Sequence, residues 1–329
     1  MRGVRGEHAP GVDEPNLDDY LVIARERRLD GAEAPHLDPT LERIRRGYYQ
    51  PAAADLTVSQ GYQLRIRAAS DARTGSLIFS HTSAADLWEC PLLVADTKLV
   101  HAIQPGKARK TTAGTQIHRS VVPDEHVVTL PSGLVTTSRE WTAVQVAATL
   151  GLPNVLLPLD HLVRLLNEDP IGDPAGEAVI DALIALVPRG MRGGTRAQKH
   201  LSLADPRSGS AGESLSRGQM AVLRVPRPAL QVRFPRGDGA GDDVVDFDWP
   251  DLGVFGEFDG KGKYFRDDMT GGRTPEEVLW DEKLREDRIR RHRPRAARWT
   301  WDVAMSRQRL AQTLAAAGVL PVGRADGWP

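Results

Sequence analysis

Three short segments rich in β-branched and aromatic residues, Leu230–Phe234, Val244–Trp249 and Gly253–Asp259, fall between two helical patterns. One helix runs from about Ser210 to Leu223 and the other from Thr274 to Arg293, and Arg295–Thr300 reads as a closing strand. Helix, three strands, helix, strand is an α/β order that implies a mixed sheet. Acids stand inside this frame. Asp246 is set among Val244, Val245 and Phe247, where a carboxylate faces either the core or a site. Side chains alternate along a strand, so Glu257 and Asp259 share one face. Glu213 opens the preceding helix, and four carboxylates can therefore converge.

Upstream the pattern is different. Residues 18–28 read as a short amphipathic helix, Leu41 onward as a strand running into a turn, and Gln63–Ala69 as a helical turn. Apolar Ser76–Ser80 leads into a helical stretch from His81 to Trp88. The strands Lys98–Ile103, Thr115–Arg119, His126–Leu130 and Leu134–Thr136, separated by Gly and Pro, predict a small antiparallel sheet. Helices follow over Arg139–Leu150, capped by Ser138, then Pro158–Asn167 and Glu177–Val187. The predicted organisation is a disordered leader (1–17), an α+β regulatory domain (18–170), a helical connector with a Gly-rich hinge at 190–194 (171–200), an α/β domain (201–305), and a C-terminal helix and tail (306–329).

A chain of 329 residues accommodates two such domains. No apolar run approaches the ~20 residues that cross a bilayer, so no membrane partner is expected. The N-terminus lacks the apolar core of a signal peptide. The single cysteine, Cys90, rules out an internal disulfide and fits a reducing cytoplasm. The tryptophans Trp249, Trp280, Trp299, Trp301 and Trp328 crowd the last quarter and suggest a core there. A net charge of −1 conceals a basic run from Arg189 to Arg236 that is opposed locally only by Asp205 and Glu213. Basic walls around an acidic centre suit a metal-dependent phosphodiesterase. Crowded carboxylates repel unless a cation joins them, and hard oxygen donors suit Mg²⁺ or Mn²⁺.

These residues resemble the PD-(D/E)XK endonucleases, especially the very-short-patch-repair type, across roughly Leu201 to Asp302. The resemblance implies that Asp246 and Glu257 bind the metal and that Glu213 supports them from the helix. The family carries a Lys two residues after the second acid. Asp259 occupies that position here, and Lys261 and Lys263 are the nearest substitutes, with Lys283 on the helix. The match extends to Gln231 on the first strand and to Arg298-Trp299 on the last. It implies a restriction-endonuclease-like fold acting on DNA. The expected DNA contacts are Arg217 and Arg224 of the basic run, with Gln231 and Lys283. In the N-terminal half, Arg45-Arg46-Gly47-Tyr48-Tyr49, the His81–Trp88 stretch and Val135-Thr136-Thr137 are similar to the abortive-infection (AbiEi-type) antitoxin family. That likeness implies the alternative function: a non-catalytic DNA-binding regulator of a type IV toxin–antitoxin system, with a cognate toxin as partner.

Other motifs carry less. Ser80 beside His81 reads as a helix N-cap, since no nucleophile elbow surrounds it. His101, His118 and His126 lie on predicted strands without Cys companions or close ligand spacing. Gly193-Gly194-Thr195 lacks the Gly-Lys-Ser/Thr ending of a phosphate loop.

Overall fold

The computed structural model describes residues 17–31, 33–73, 75–104, 114–237, 239, 241–260, 274–322 and 328. The fold is α/β, with several sheets, two of them mixed. Among the described residues no helix is long and apolar enough to cross a membrane.

The N-terminal segment forms β1 (Val22–Ile23), α1 (Ala24–Leu29), β2 (Leu41–Arg45) and β3 (Tyr48–Pro51), the strands joining in the order β1-β3-β2. The helix predicted over 18–28 is thus shortened. Val22 and Ile23 are β-branched and pair with Tyr49 and Tyr48, which overrides the helical pattern. Next comes α2 (Val58–Asp71), twice the expected length, opened by a capping box between Thr57 and Gln60. Its buried Tyr62, Ile66 and Ala69 share one face by their spacing. They pack on Phe79, Val100, Ala102 and Ile117.

Those partners lie on β4 (Ile78–Phe79), β5 (Val100–Ile103) and β6 (Thr115–His118), with α3 (His81–Leu87) between β4 and β5. With β7 (Val127–Thr129) and β8 (Val135–Thr137) they form a five-stranded sheet in the order β6-β5-β4-β8-β7. The sheet is mixed rather than antiparallel, because β4 pairs with β8, and β5 with β6, in parallel.

Four helices follow: α4 (Arg139–Thr149), α5 (Leu156–Leu166), α6 (Glu177–Leu186) and α7 (Gly194–Leu201). Ser138 caps α4 by accepting from Trp141 N–H. The helices share a core of Ala143, Val146, Leu159, Leu162, Leu183 and Leu201.

The last part is α8 (Ala211–Leu223), β9 (Ala229–Pro235), β10 (Asp242–Trp249), β11 (Val254–Asp259), α9 (Pro275–Arg290), β12 (Arg295–Thr300), α10 (Trp301–Ala304) and α11 (Arg307–Ala316). The sheet order is β12-β11-β10-β9. β9, β10 and β11 run antiparallel, and β12 returns parallel to β11 after α9. On one face Leu215, Met220, Phe247, Trp249, Trp299, Leu310 and Leu314 form the core. On the other, Phe234, Val245 and Phe255 meet Ile289 of α9. Trp249 and Trp299 are core residues as their clustering predicted, whereas Trp280 and Trp301 are exposed.

The two halves are in contact. Leu157 of α5 packs in the same cluster as Phe247 and Trp249. Arg217 of α8 is 1% exposed and donates to Asp160 of α5 at 2.6 Å. This corrects the expectation that Arg217 contacts DNA: its guanidinium is enclosed and spent on Asp160 and on the Leu203 carbonyl. Other members of the basic run are matched by acids nearer in sequence. Arg233 pairs with Asp242, and Arg236 with Asp243.

Candidate functional site

The acids predicted from the strands meet at a cavity of about 410 Å³ lined by Gln231, Asp246, Glu257, Asp259, Arg285 and Arg298, among others. β10 supplies Asp246, and its antiparallel neighbour β11 supplies Glu257 and Asp259. The β9–β10 ladder pairs Val245 with Val232 and Phe247 with Leu230, but skips Asp246 and Gln231. Gln231 sits there at φ +51, a left-handed conformation that side chains other than glycine rarely adopt. Across the skipped rung the two side chains bond instead, Gln231 Nε2 donating to Asp246 Oδ1 at 3.3 Å. Asp246 Oδ2 accepts from Phe258 N–H at 2.8 Å. A strained residue and an interrupted ladder at a carboxylate are where a sheet spends stability on positioning.

Glu213 stands behind this rung. Its side chain is buried and accepts from Gly209 N–H at 2.7 Å, Ser210 Oγ at 2.8 Å and Gln231 Nε2 at 3.1 Å. The Gln231 amide therefore bridges Glu213 and Asp246. Glu213 acts through Gln231, which it holds in place, rather than by lining the cavity.

Within this pocket, electrostatics set Asp246 apart. Burial, followed by the negative charge of Glu213 and Glu257, pushes its carboxyl up to about 6, against the pull of the Phe258 N–H. Glu257 has the opposite surroundings. Arg285 Nη2 reaches its Oε1 at 2.5 Å, and Arg298 Nη2 its Oε2 at 2.9 Å. Arg298 also contacts Glu282 and Glu286 of α9. The sequence marked the helix and the Arg298-Trp299 strand but not this clamp, because no local period tells which arginine of a helix meets an acid on a neighbouring strand.

The remaining predicted residues lie elsewhere. Arg224 is exposed at the C-terminal end of α8, about 16 Å along the helix from Glu213 by helical rise. Lys283 is exposed on α9, its ammonium 5.5 Å from the Trp280 ring centroid. Lys261 and Lys263 lie outside the described residues.

Asp246 and Glu257 are hard oxygen donors of the kind a divalent cation takes. Asp246 is a carboxylate held against the repulsion of two others, which a cation would relieve. Among the described residues no group of three His, Cys, Asp or Glu side chains converges for a metal. Asp246 and Glu257 would hold the ion with backbone carbonyl and water completing its shell, the mode in which Mg²⁺ is usually bound.

No family model matches the chain. It is similar to two proteins of Mycobacterium tuberculosis, uncharacterized protein MT2308 of strain CDC 1551 / Oshkosh and uncharacterized protein Rv2248 of strain ATCC 25618 / H37Rv. Each is 33% identical over 164 residues, 50% of this chain and 56% of the relative. The chain thus spans little more than half the length of these curated relatives.

Proposed function

We propose that the chain carries a PD-(D/E)XK endonuclease-like domain over residues 201–305, and that it binds DNA and hydrolyses phosphodiester bonds with Mg²⁺ or Mn²⁺ at Asp246 and Glu257. The observation that carries this reading is Asp246 itself. It is a half-buried carboxylate raised to about 6 beside two further acids, at an open cavity walled by two arginines. Structural carboxylates are ordinarily paired. One kept unpaired against its neighbours marks a site.

Further support comes from the order of elements: helix, three antiparallel strands, helix, parallel strand, with the acids on β10 and β11 and the helix Glu on α8. The bound ion would supply charge neutralisation and an acidified water. The chain's own part is to fix Asp246 through Phe258 N–H and Gln231, and to bring Arg285 and Arg298 to the phosphate. With Glu257 on a cation, Arg285 and Arg298 would each lose one carboxylate partner while keeping Glu282 or Glu286, and their planar donors would be suited to a phosphate oxygen.

A second reading has its own observation. Glu257 is already neutralised by Arg285 and Arg298, and Asp259 stands where the family Lys belongs. A closed ion-pair network of this kind suits a DNA-binding scaffold without catalysis, an antitoxin-like regulator in the cytoplasm whose partner is a cognate toxin. Plasmid nicking in Mn²⁺ separates the two. Cleavage by the wild type that disappears in Asp246→Ala and Glu257→Ala supports the enzyme. DNA binding without cleavage, and calorimetry showing no Mn²⁺ uptake beyond that of the double variant, supports the scaffold.

A further inference from the structure

The five-stranded sheet carries a second cluster, far from the acids in character. His101 on β5 and His118 on β6 meet through Nδ1 and Nε2 at 2.8 Å. His81, the first residue of α3, stacks on His118 with ring centroids 3.8 Å apart. Its Nδ1 lies 3.0 Å from Ser80 Oγ, so Ser80 serves the histidine and not the helix cap that its position predicted.

His81 is 7% exposed and sits at φ +54. That conformation is enforced from several directions. His81 N–H donates to Gln145 Oε1 of α4 at 3.1 Å, Ser80 N–H donates to the His101 carbonyl at 3.0 Å, and His101 N–H donates to Ser83 Oγ at 2.7 Å. A buried, left-handed histidine pinned by three elements is an outlier of the kind found at binding sites.

The cluster opens into a cleft of about 710 Å³ whose polar lining includes His81, His118, Arg119, Gln145, Arg189 and Arg192. Pro123, Trp141 and Met191 give it an apolar wall. Among the described residues no carboxylate lines it. Among the described residues the side chains of Arg119, Arg189 and Arg192 make no hydrogen bond or ion pair, while Arg207, Arg217 and Arg236 in the same basic run are matched to acids. Uncompensated guanidiniums around buried imidazoles form a receptor for negative charge.

We propose that this cleft binds a phosphorylated small molecule, its phosphoryl group held by Arg119, Arg189 and Arg192 and by imidazole nitrogens of His81 and His118, its organic body against Trp141 and Pro123. Burial keeps His101 neutral, near 4, and burial with the neighbouring imidazoles lowers His81 as well. At neutral pH the imidazoles therefore contribute N–H groups and the arginines the charge. A phosphomonoester dianion matches three cations better than a diester. The depth of His81 also favours a small ligand over a nucleic-acid backbone.

The test is calorimetry on the full chain at low ionic strength, with inorganic pyrophosphate and adenosine 5′-monophosphate as probes. The wild type should bind each at one site, with the nucleotide favoured by its apolar part. Arg189→Gln/Arg192→Gln, two exposed positions, should weaken binding at least tenfold without shifting the melting temperature. His81→Gly, in which glycine accepts the backbone conformation, should also weaken binding at least tenfold. Asp246→Asn/Glu257→Gln should leave binding intact, which separates this cleft from the acidic pocket. Absence of saturable binding at millimolar probe, binding unaffected by the arginine and His81 variants, or displacement of the probes by a short DNA duplex would each overturn the proposal.

Discussion

Asp160 Oδ2 and Arg217 Nη1 are 2.6 Å apart across 57 positions of sequence, and both side chains are closed to solvent. Asp160 Oδ1 accepts from Asp205 N–H at 2.9 Å, so the carboxylate binds both the loop before α8 and α8 itself. This pair fastens the helical layer to the four-stranded sheet across the boundary expected near residue 200.

Its removal from one side should be costly. Arg217→Met leaves a buried carboxylate without its cation, and about 3–5 kcal/mol of stability should be lost. Asp160→Asn/Arg217→Met removes both charges and should recover much of that loss. Urea denaturation of the three proteins measures the difference. By the same reasoning a fragment of residues 195–329, lacking Asp160, should fail to melt cooperatively; a sharp transition would show that the pair is dispensable.

Asp246 makes stability depend on pH in a stated direction. Its carboxyl is raised from the ordinary 3.8 to about 6, so the folded state holds the proton more tightly than the unfolded chain. Stability from this group is present in acid and declines as pH climbs from about 4 to 6. Asp246→Asn removes the penalty. After allowance for partial solvent screening it should stabilise the metal-free protein at pH 8 by roughly 1–2 kcal/mol. The gain should vanish near pH 4, and thermal melts at the two pH values read it out.

Gly212 in α8 is where helix and site touch. A Cβ there would stand 2.0 Å from Cζ of Phe258, whose backbone N–H holds Asp246. Gly212→Ala should therefore cost about 1–3 kcal/mol as an overpacked contact. It should also lower Mn²⁺ affinity by displacing that N–H. Combining it with Phe258→Leu should restore the melting temperature if the ring is the obstacle.

The arginine clamp on Glu257 predicts a signature in nucleic-acid binding. If Arg285 and Arg298 turn to phosphate, Arg285→Gln/Arg298→Gln should reduce the slope of log affinity against log salt by about 2. Glu257→Gln removes the one negative charge that both guanidiniums share, leaving Arg285 on Glu282 and Arg298 on Glu282 and Glu286, and should strengthen binding to duplex DNA. Filter binding between low and moderate salt measures both, and an unchanged slope would remove the clamp from the interface.

The residues of the acidic pocket were legible because strands advertise themselves locally. Alternation placed Glu257 and Asp259 together, and Val244, Val245 and Phe247 marked the strand carrying Asp246. The helix starts at Ser138, Ser210 and Thr274 were legible for the same reason, since a cap bonds to an amide only three positions away. The amino-acid order by itself thus determined the succession of elements in the last third and which acids share its inner strands.

Partner choice was decided only by the tertiary structure. Arg217, read as a surface cation, is enclosed by Asp160. Arg285 and Arg298 come from α9 and β12 to claim Glu257. Gln231 turns left-handed to bridge Glu213 and Asp246. His81, His101 and His118, separated by 20 and 17 positions, become one cluster because α3, β5 and β6 meet at a single edge. An ion pair or an imidazole stack gains its strength from exclusion of water and close approach, and both depend on how distant elements pack. No local period carries that information.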